Sequence, residues 1–181
     1  MVDENPSAGP IAEFAALRAE ILQISQHSNQ ILSLQLTVTG AVLSVALSNP
    51  SLHVLVLLLP LLSYLLCIRF LVDGQHIYEI ARYIREELNP RVPGGLRWED
   101  WLRGIRRSNT LRRTTRLLTF SGPSLVALAW GSGFVLVSPN THGGERVGLV
   151  TLWLVGVAAV AHQTYLISYW YYRRIKAQRR G

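Results

Sequence analysis

Charged residues are missing from three long stretches of this chain. No Asp, Glu, Lys or Arg occurs from Ile21 to Ile68, from Leu117 to Gly144 or from Val147 to Tyr172, runs of 48, 28 and 26 residues. A soluble helix shows water a polar face at every turn, whereas about 20 mostly apolar residues cross about 30 Å of hydrocarbon. The first run is long enough to cross twice. The pattern therefore predicts an all-α, polytopic membrane protein with four transmembrane helices and helical cytoplasmic extensions. The first span is placed from about Ile31 to Ser48 and is ended by Asn49 and Pro50, because proline turns its predecessor away from helix. The second runs from about Leu52 to Val72; Pro60 removes a hydrogen bond from the Val56 carbonyl and should kink it. The third covers about Leu117 to Val137 and the fourth about Val147 to Ile167, with Gly143 and Gly144 assigned to the loop between them.

Ahead of the first span, Phe14, Leu17, Ile21, Ile24, Ser28, Ile31 and Gln35 recur at alternating steps of three and four, the spacing of a coiled-coil seam. This helix is expected to run unbroken into the membrane. Its other positions include Glu13, Glu20, Gln23, Gln26, Asn29 and Gln30, acidic or neutral, so it lacks the basic face that anionic lipid would hold. Ile77, Ile80, Ile84 and Leu88, on an extension of the second span that stops at Asn89 and Pro90, are the expected partners within the chain. Docking of a second chain on Phe14, Leu17, Ile21 and Ile24 is the alternative.

Basic residues set the orientation, since Lys and Arg in short loops stay on the cytoplasmic side. Arg69 to Arg116 holds 11 arginines, Arg173 to Arg180 five basic residues, the N-terminal segment Arg18, and the two short loops only Arg146. The expected order is a cytoplasmic amphipathic helix (1–30), a transmembrane hairpin (31–72), a basic cytoplasmic helical segment (73–116), a second hairpin (117–167) and an aromatic, basic cytoplasmic tail (168–181). In the middle segment Trp98, Trp101, Leu102 and Ile105 form an apolar face, with Arg97, Arg103, Arg106 and Arg107 opposite. Trp98, Trp101, Arg103, Arg106 and Arg107 are thus candidates for contact with anionic lipid headgroups, each juxtamembrane arginine contributing about 1 kcal/mol.

The net charge of +7 would suit nucleic acid, yet the basic residues flank the spans and no nucleic-acid-binding frame is present, so none is expected as a partner. Cys67 is the only cysteine, and Lys176, the only lysine, follows Ile175 rather than glycine. A zinc knuckle, an iron–sulfur cluster and a phosphate-binding loop are thereby excluded from this chain, and neither a metal nor a cofactor is expected. Asp3 and Glu4 with no basic residue before Pro10 do not open a secretory signal. His27, His53, His76 and His142 follow no metal-binding spacing and are assigned no role.

Polar side chains inside spans carry the functional hypotheses, because hydrocarbon penalises them. Gln35, His162 and Gln163 are the candidates, Gln35 being the expected hydrogen-bond partner of His162. Small residues mark close helix packing: Ser33, Thr37, Gly40, Ser44 and Ser48 on the first span, and Ala127 with Gly131 or Ala129 with Gly133 on the third. Gly40, Ser44, Gly131 and Gly133 are the packing candidates, whether between helices of one chain or of two.

The stretch IARYIREELNPRVPGGLRWEDW, Ile80 to Trp101, resembles a segment of small bacterial integral membrane proteins of similar length and span layout. The resemblance covers much of the chain and implies a four-span, multi-pass protein of the bacterial plasma membrane with both termini cytoplasmic. It brings no activity to carry over. With no clustered Asp, Glu or His at one depth and no base beside Ser63, Ser121, Ser124 or Ser132, no enzyme is expected. The expected role is an oligomerising scaffold, or a module recruiting a membrane or cytoplasmic protein through its cytoplasmic helices; the alternative is a small oligomeric, membrane-permeabilising channel. In a Cys67→Ser background, Thr141→Cys should react with an impermeant maleimide added outside intact cells; labelling only after lysis overturns the orientation.

Overall fold

A computed structural model describes residues 8–92, 109–137 and 143–178, and every described element is helical. Four α-helices are α1 (Ala8–Ser48), α2 (Leu59–Tyr83), α3 (Asn109–Val137) and α4 (Gly143–Gln178). A 3-10 helix, Pro50–Leu58, leads into α2; a π turn, Ile84–Leu88, and a 3-10 turn, Asn89–Arg91, follow it. Among the described residues, three stretches are long and apolar enough to cross a membrane: Ala8–Ser48, Pro50–Arg91 and Arg146–Tyr172. The chain forms two compact units, Met1–Gln30 with Phe70–Ser108, and Ile31–Arg69 with Asn109–Gly181.

The element boundaries have local causes. The Asn49 carbonyl-type side-chain oxygen accepts from the Ser51 N–H at 3.1 Å and the Ser51 hydroxyl at 2.8 Å, capping the segment that Pro50 begins. Proline at position 60 has no N–H for Val56, and the Leu59 N–H takes that carbonyl instead, three residues away. The second span therefore starts as 3-10 helix rather than as the kinked α-helix expected from Pro60. Gly143 and Gly144, expected in a loop, lie in the first turn of α4.

In the first unit the seam is closed by the chain itself. Phe14, Leu17, Ile21 and Ile24 pack against Ile80, Ile84 and Leu88, of which Ile84 and Leu88 are fully buried. Residues four apart overshoot a full α-helical turn and drift around the axis. The wider π turn, closed by the Asn89 N–H on the Ile84 carbonyl, offsets that drift and returns Leu88 to the face of Ile80 and Ile84.

The second unit places polar side chains inside and apolar ones outside. Gln35, Ser63, Ser121, Ser124 and Gln163 are buried, while Leu36, Leu47, Leu118, Val126 and Leu154 are exposed. Such a distribution suits a hydrocarbon solvent, where packing and polar contacts between helices replace the hydrophobic drive. Ala46, Val56, Leu59 and Ala127 form an apolar cluster flanked by Val42 and Leu43.

Glycine marks the closest approaches, though at fewer of the candidate positions than expected. A Cβ on Gly131 would drive into the Leu57 side chain, whereas Gly40 and Gly133 face open space. Gly40, Ser44 and Gly133 are exposed together with Ser33 and Thr37, so these positions do not pack against the described residues of the same chain. Gln35 occupies the inner face of α1, and residues two positions away lie roughly 200° around the helix. Gly156, absent from the candidates, is buried, with a Cβ there meeting Leu128 at 3.0 Å and Pro60 at 3.4 Å. Gly131→Val should lower resistance to unfolding in SDS by about 1–3 kcal/mol through overpacking. Gly40→Val should leave that resistance unchanged in dilute monomeric samples; equal effects would overturn the assignment.

Candidate polar site in the helix bundle

Four helices of the second unit are joined through hydroxyl and amide groups. The Gln35 Nε2 on α1 donates to Ser63 Oγ on α2 at 3.0 Å and approaches Thr39 Oγ1 at 3.4 Å. Ser63 Oγ donates to the Phe120 carbonyl on α3 at 2.6 Å, and Ser124 Oγ donates to the same oxygen at 3.1 Å. From α4, Gln163 Nε2 donates to Ser121 Oγ at 3.1 Å. The sequence places Pro123 three residues beyond Phe120, inside α3. Pro123 lacks the N–H that would reach the Thr119 carbonyl, and beside that break the Phe120 carbonyl takes one hydroxyl from its own helix and one from α2. Gln163 Oε1 is buried without a hydrogen bond among the described residues, so its side of the network is half satisfied.

Gln35 and His162, expected as a pair, have different partners. His162 is one position from Gln163, about 100° around α4; Gln163 takes the inner face and His162 is exposed. Its Nδ1 lies 2.8 Å from the Tyr64 hydroxyl, and its ring stacks on Tyr165, which stacks on Tyr169. Further along the same helix the Arg116 guanidinium sits over the rings of Trp170 and Tyr171, 5.0 and 5.7 Å from their centroids. Cation–π contact of this kind fastens the start of α3 to the aromatic end of α4.

The first unit holds a second set of contacts, which the spacing of the seam did not reveal. Tyr83 donates to Glu13 at 2.6 Å, His76 lies 3.6 Å from Glu20, and His27 Nδ1 lies 2.7 Å from Asp73 Oδ2. Ser28 Oγ also reaches that carboxylate, at 3.5 Å. Glu13, Glu20 and His27 are seven residues apart and beside the seam, and the partners fall in number as they rise, so the two segments run antiparallel. That seven-residue repeat was the available signal, and it gives His27 and His76 a place that sequence reading did not. Asp73 is buried, and a buried carboxylate needs such partners. At the exposed end, hydrogen bonds from Arg82 and then Arg85 hold the Glu86 carboxyl below its usual range, and the bond to Glu13 pushes the Tyr83 phenol up.

Trp98, Trp101, Arg103, Arg106 and Arg107 lie outside the described residues. No protein-family model, curated protein or solved structure matches this chain. The resemblance carried by Ile80 to Trp101 thus has no matched relative beside it.

Gln35→Leu should cost about 0.6–2 kcal/mol of bundle stability, the range for hydrogen bonds between membrane helices. Gln163→Leu should cost less, because it also removes an unsatisfied buried oxygen. SDS-unfolding curves of the two variants test the order; a larger loss for Gln163→Leu reverses the assignment of the main cross-link.

Proposed function

We propose that this chain is a four-span, non-enzymatic integral membrane protein that self-associates as a scaffold and presents its first unit as a recruiting module at the cytoplasmic face. In this reading α3 also crosses the membrane, as the third of four spans, entering it after Arg116, and the arginine-rich segments keep both termini on the cytoplasmic side. The observation that carries the reading is how α1 uses its two faces. Its seam residues Phe14, Leu17, Ile21 and Ile24 are covered by Ile80, Ile84 and Leu88, while Ser33, Thr37, Gly40 and Ser44 are exposed. Small residues let a second helix approach closely in lipid, where backbone contact replaces a hydrophobic drive. Self-association then belongs to the membrane part of α1, and the closed hairpin with its outward Ile11 and Leu22 is left to bind a partner.

A channel made of several copies is the weaker alternative. It requires Gln35 and His162 along one water path, yet Gln35 is buried against Ser63 and His162 is exposed beside Tyr64.

Light-scattering mass of the purified chain in mild detergent tests the scaffold. An oligomer is expected that falls to monomer in Gly40→Leu, Ser44→Leu, and that keeps its mass in Ile21→Ser, Ile24→Ser while amide-exchange protection of residues 77–88 drops. A monomeric native chain, or dissociation only in the isoleucine variant, overturns the reading.

A further inference from the structure

One line of exposed residues along α1 in the first unit carries no charge. Ala12, Ala16, Ala19, Gln23, Gln26 and Gln30 recur at alternating steps of four and three, and all six are exposed, with the exposed Ile11 and Leu22 alongside. At about 100° and 1.5 Å per residue the line runs opposite the seam of Phe14, Leu17, Ile21 and Ile24 and extends about 27 Å. The charged residues of this part of the helix stand off the line and are engaged within the chain: Tyr83 donates to Glu13, His76 lies beside Glu20, and the Arg18 guanidinium sits over the Phe14 ring. The outer face of the segment paired with α1 is the contrast, because Glu79, Arg82, Glu86 and Glu87 are exposed there. A helix face turned to water carries such charges, whereas about five turns of alanines and amides suit packing against another helix.

Spacing and neutrality together select what covers this line. An alternation of three and four keeps it facing a partner helix that has the same repeat. The steps continue unbroken to Ser33, Thr37, Gly40 and Ser44, through which the proposed self-association joins two copies, and α1 is a single helix from Ala8 to Ser48. Two copies inserted in one membrane share an orientation, so their α1 helices lie parallel and each residue of the line meets its own counterpart. In such a pair a charge would face its like and repel it. Every position must then be neutral, and an amide, which both donates and accepts, can pair with itself. A partner of different sequence would set no such condition.

We infer that the uncharged line of α1 in the first unit docks on the same line of a second copy, forming a parallel, in-register helix pair. The inference rests on the self-association proposed above and names the occupant of the face that Ile11 and Leu22 border. Alanine at positions 12, 16 and 19 lets the two helices approach closely, with Ile11 and Leu22 beside the contact. Gln23, Gln26 and Gln30 exchange amide hydrogen bonds with their counterparts, and polar groups within such a seam fix its register.

Charge exchange across the pair tests this. Full-length chains carrying a donor or an acceptor dye at the C-terminus are placed in phosphatidylcholine liposomes at high lipid dilution, and energy transfer between them reports association. The variants Ala19→Glu, Gln23→Glu and Ala19→Lys, Gln23→Lys should each associate about tenfold less than the native chain when alone, and should regain native association when mixed. Recovery on mixing also shows that both variants are folded. In a Cys67→Ser background, Ala19→Cys should form disulfide-linked dimers on mild oxidation, and Gln75→Cys, on the outer face of α2, should not. Absence of recovery, or equal dimer formation at residues 19 and 75, overturns the pairing. Its failure is told apart from that of the self-association by Gly40→Leu, Ser44→Leu. Association that is lost in this variant but unchanged in either charge variant keeps the membrane interface, assigns the line in the first unit to another partner and overturns the pairing. A native chain that gives no energy transfer overturns both.

Discussion

A buried hydroxyl or amide must find a partner somewhere, and in hydrocarbon only the protein supplies one. The Phe120 oxygen, close to Pro123, receives the hydroxyls of Ser63 and Ser124, and Ser63 in turn receives the Gln35 amide. Each of these groups would be costly if left bare, so the separation of α1, α2 and α3 is held by their mutual needs. Close contact around Gly131 and Gly156 makes those bonds geometrically possible, because Leu57, Leu128 and Pro60 fill the space that a side chain would take.

The first unit solves a different problem with different chemistry. Its apolar seam supplies the adhesion, and the flanking pairs of Glu13, Glu20 and His27 with Tyr83, His76 and Asp73 set which residue of one segment faces which of the other. Exposed ion pairs add little to stability, so the pairs nearest solvent act mainly on register. Asp73 differs from them: its carboxylate is buried, and losing His27 would remove its partner at 2.7 Å.

The charge-free runs and the seam were legible because each is a repeated one-dimensional signal. Within the first unit, Phe14, Leu17, Ile21 and Ile24 meet Ile80, Ile84 and Leu88, the segment that their spacing pointed to. Which small residues pack was not legible, since Gly40, Gly131 and Gly133 look alike in sequence; only the position of Leu57 separates Gly131 from the others. Adjacent His162 and Gln163 posed the same difficulty, because a rotation of the helix decides which one enters the bundle. The link from Ser63 to Phe120 was invisible for another reason: it ends on a main-chain oxygen, and no residue type announces that. His27 and Asp73 are 46 positions apart, beyond any local pattern.

The opening of the second span in 3-10 form alters its length as well as its hydrogen bonding. A 3-10 helix rises about 2.0 Å per residue against 1.5 Å for an α-helix, so Pro50–Leu58 reaches about 18 Å where α-helix would reach about 14 Å. The gain is close to the difference in thickness between thin and thick biological bilayers. Converting this segment between the two forms would let the same residues match membranes of different depth, with Pro60 fixing where the adjustable part ends.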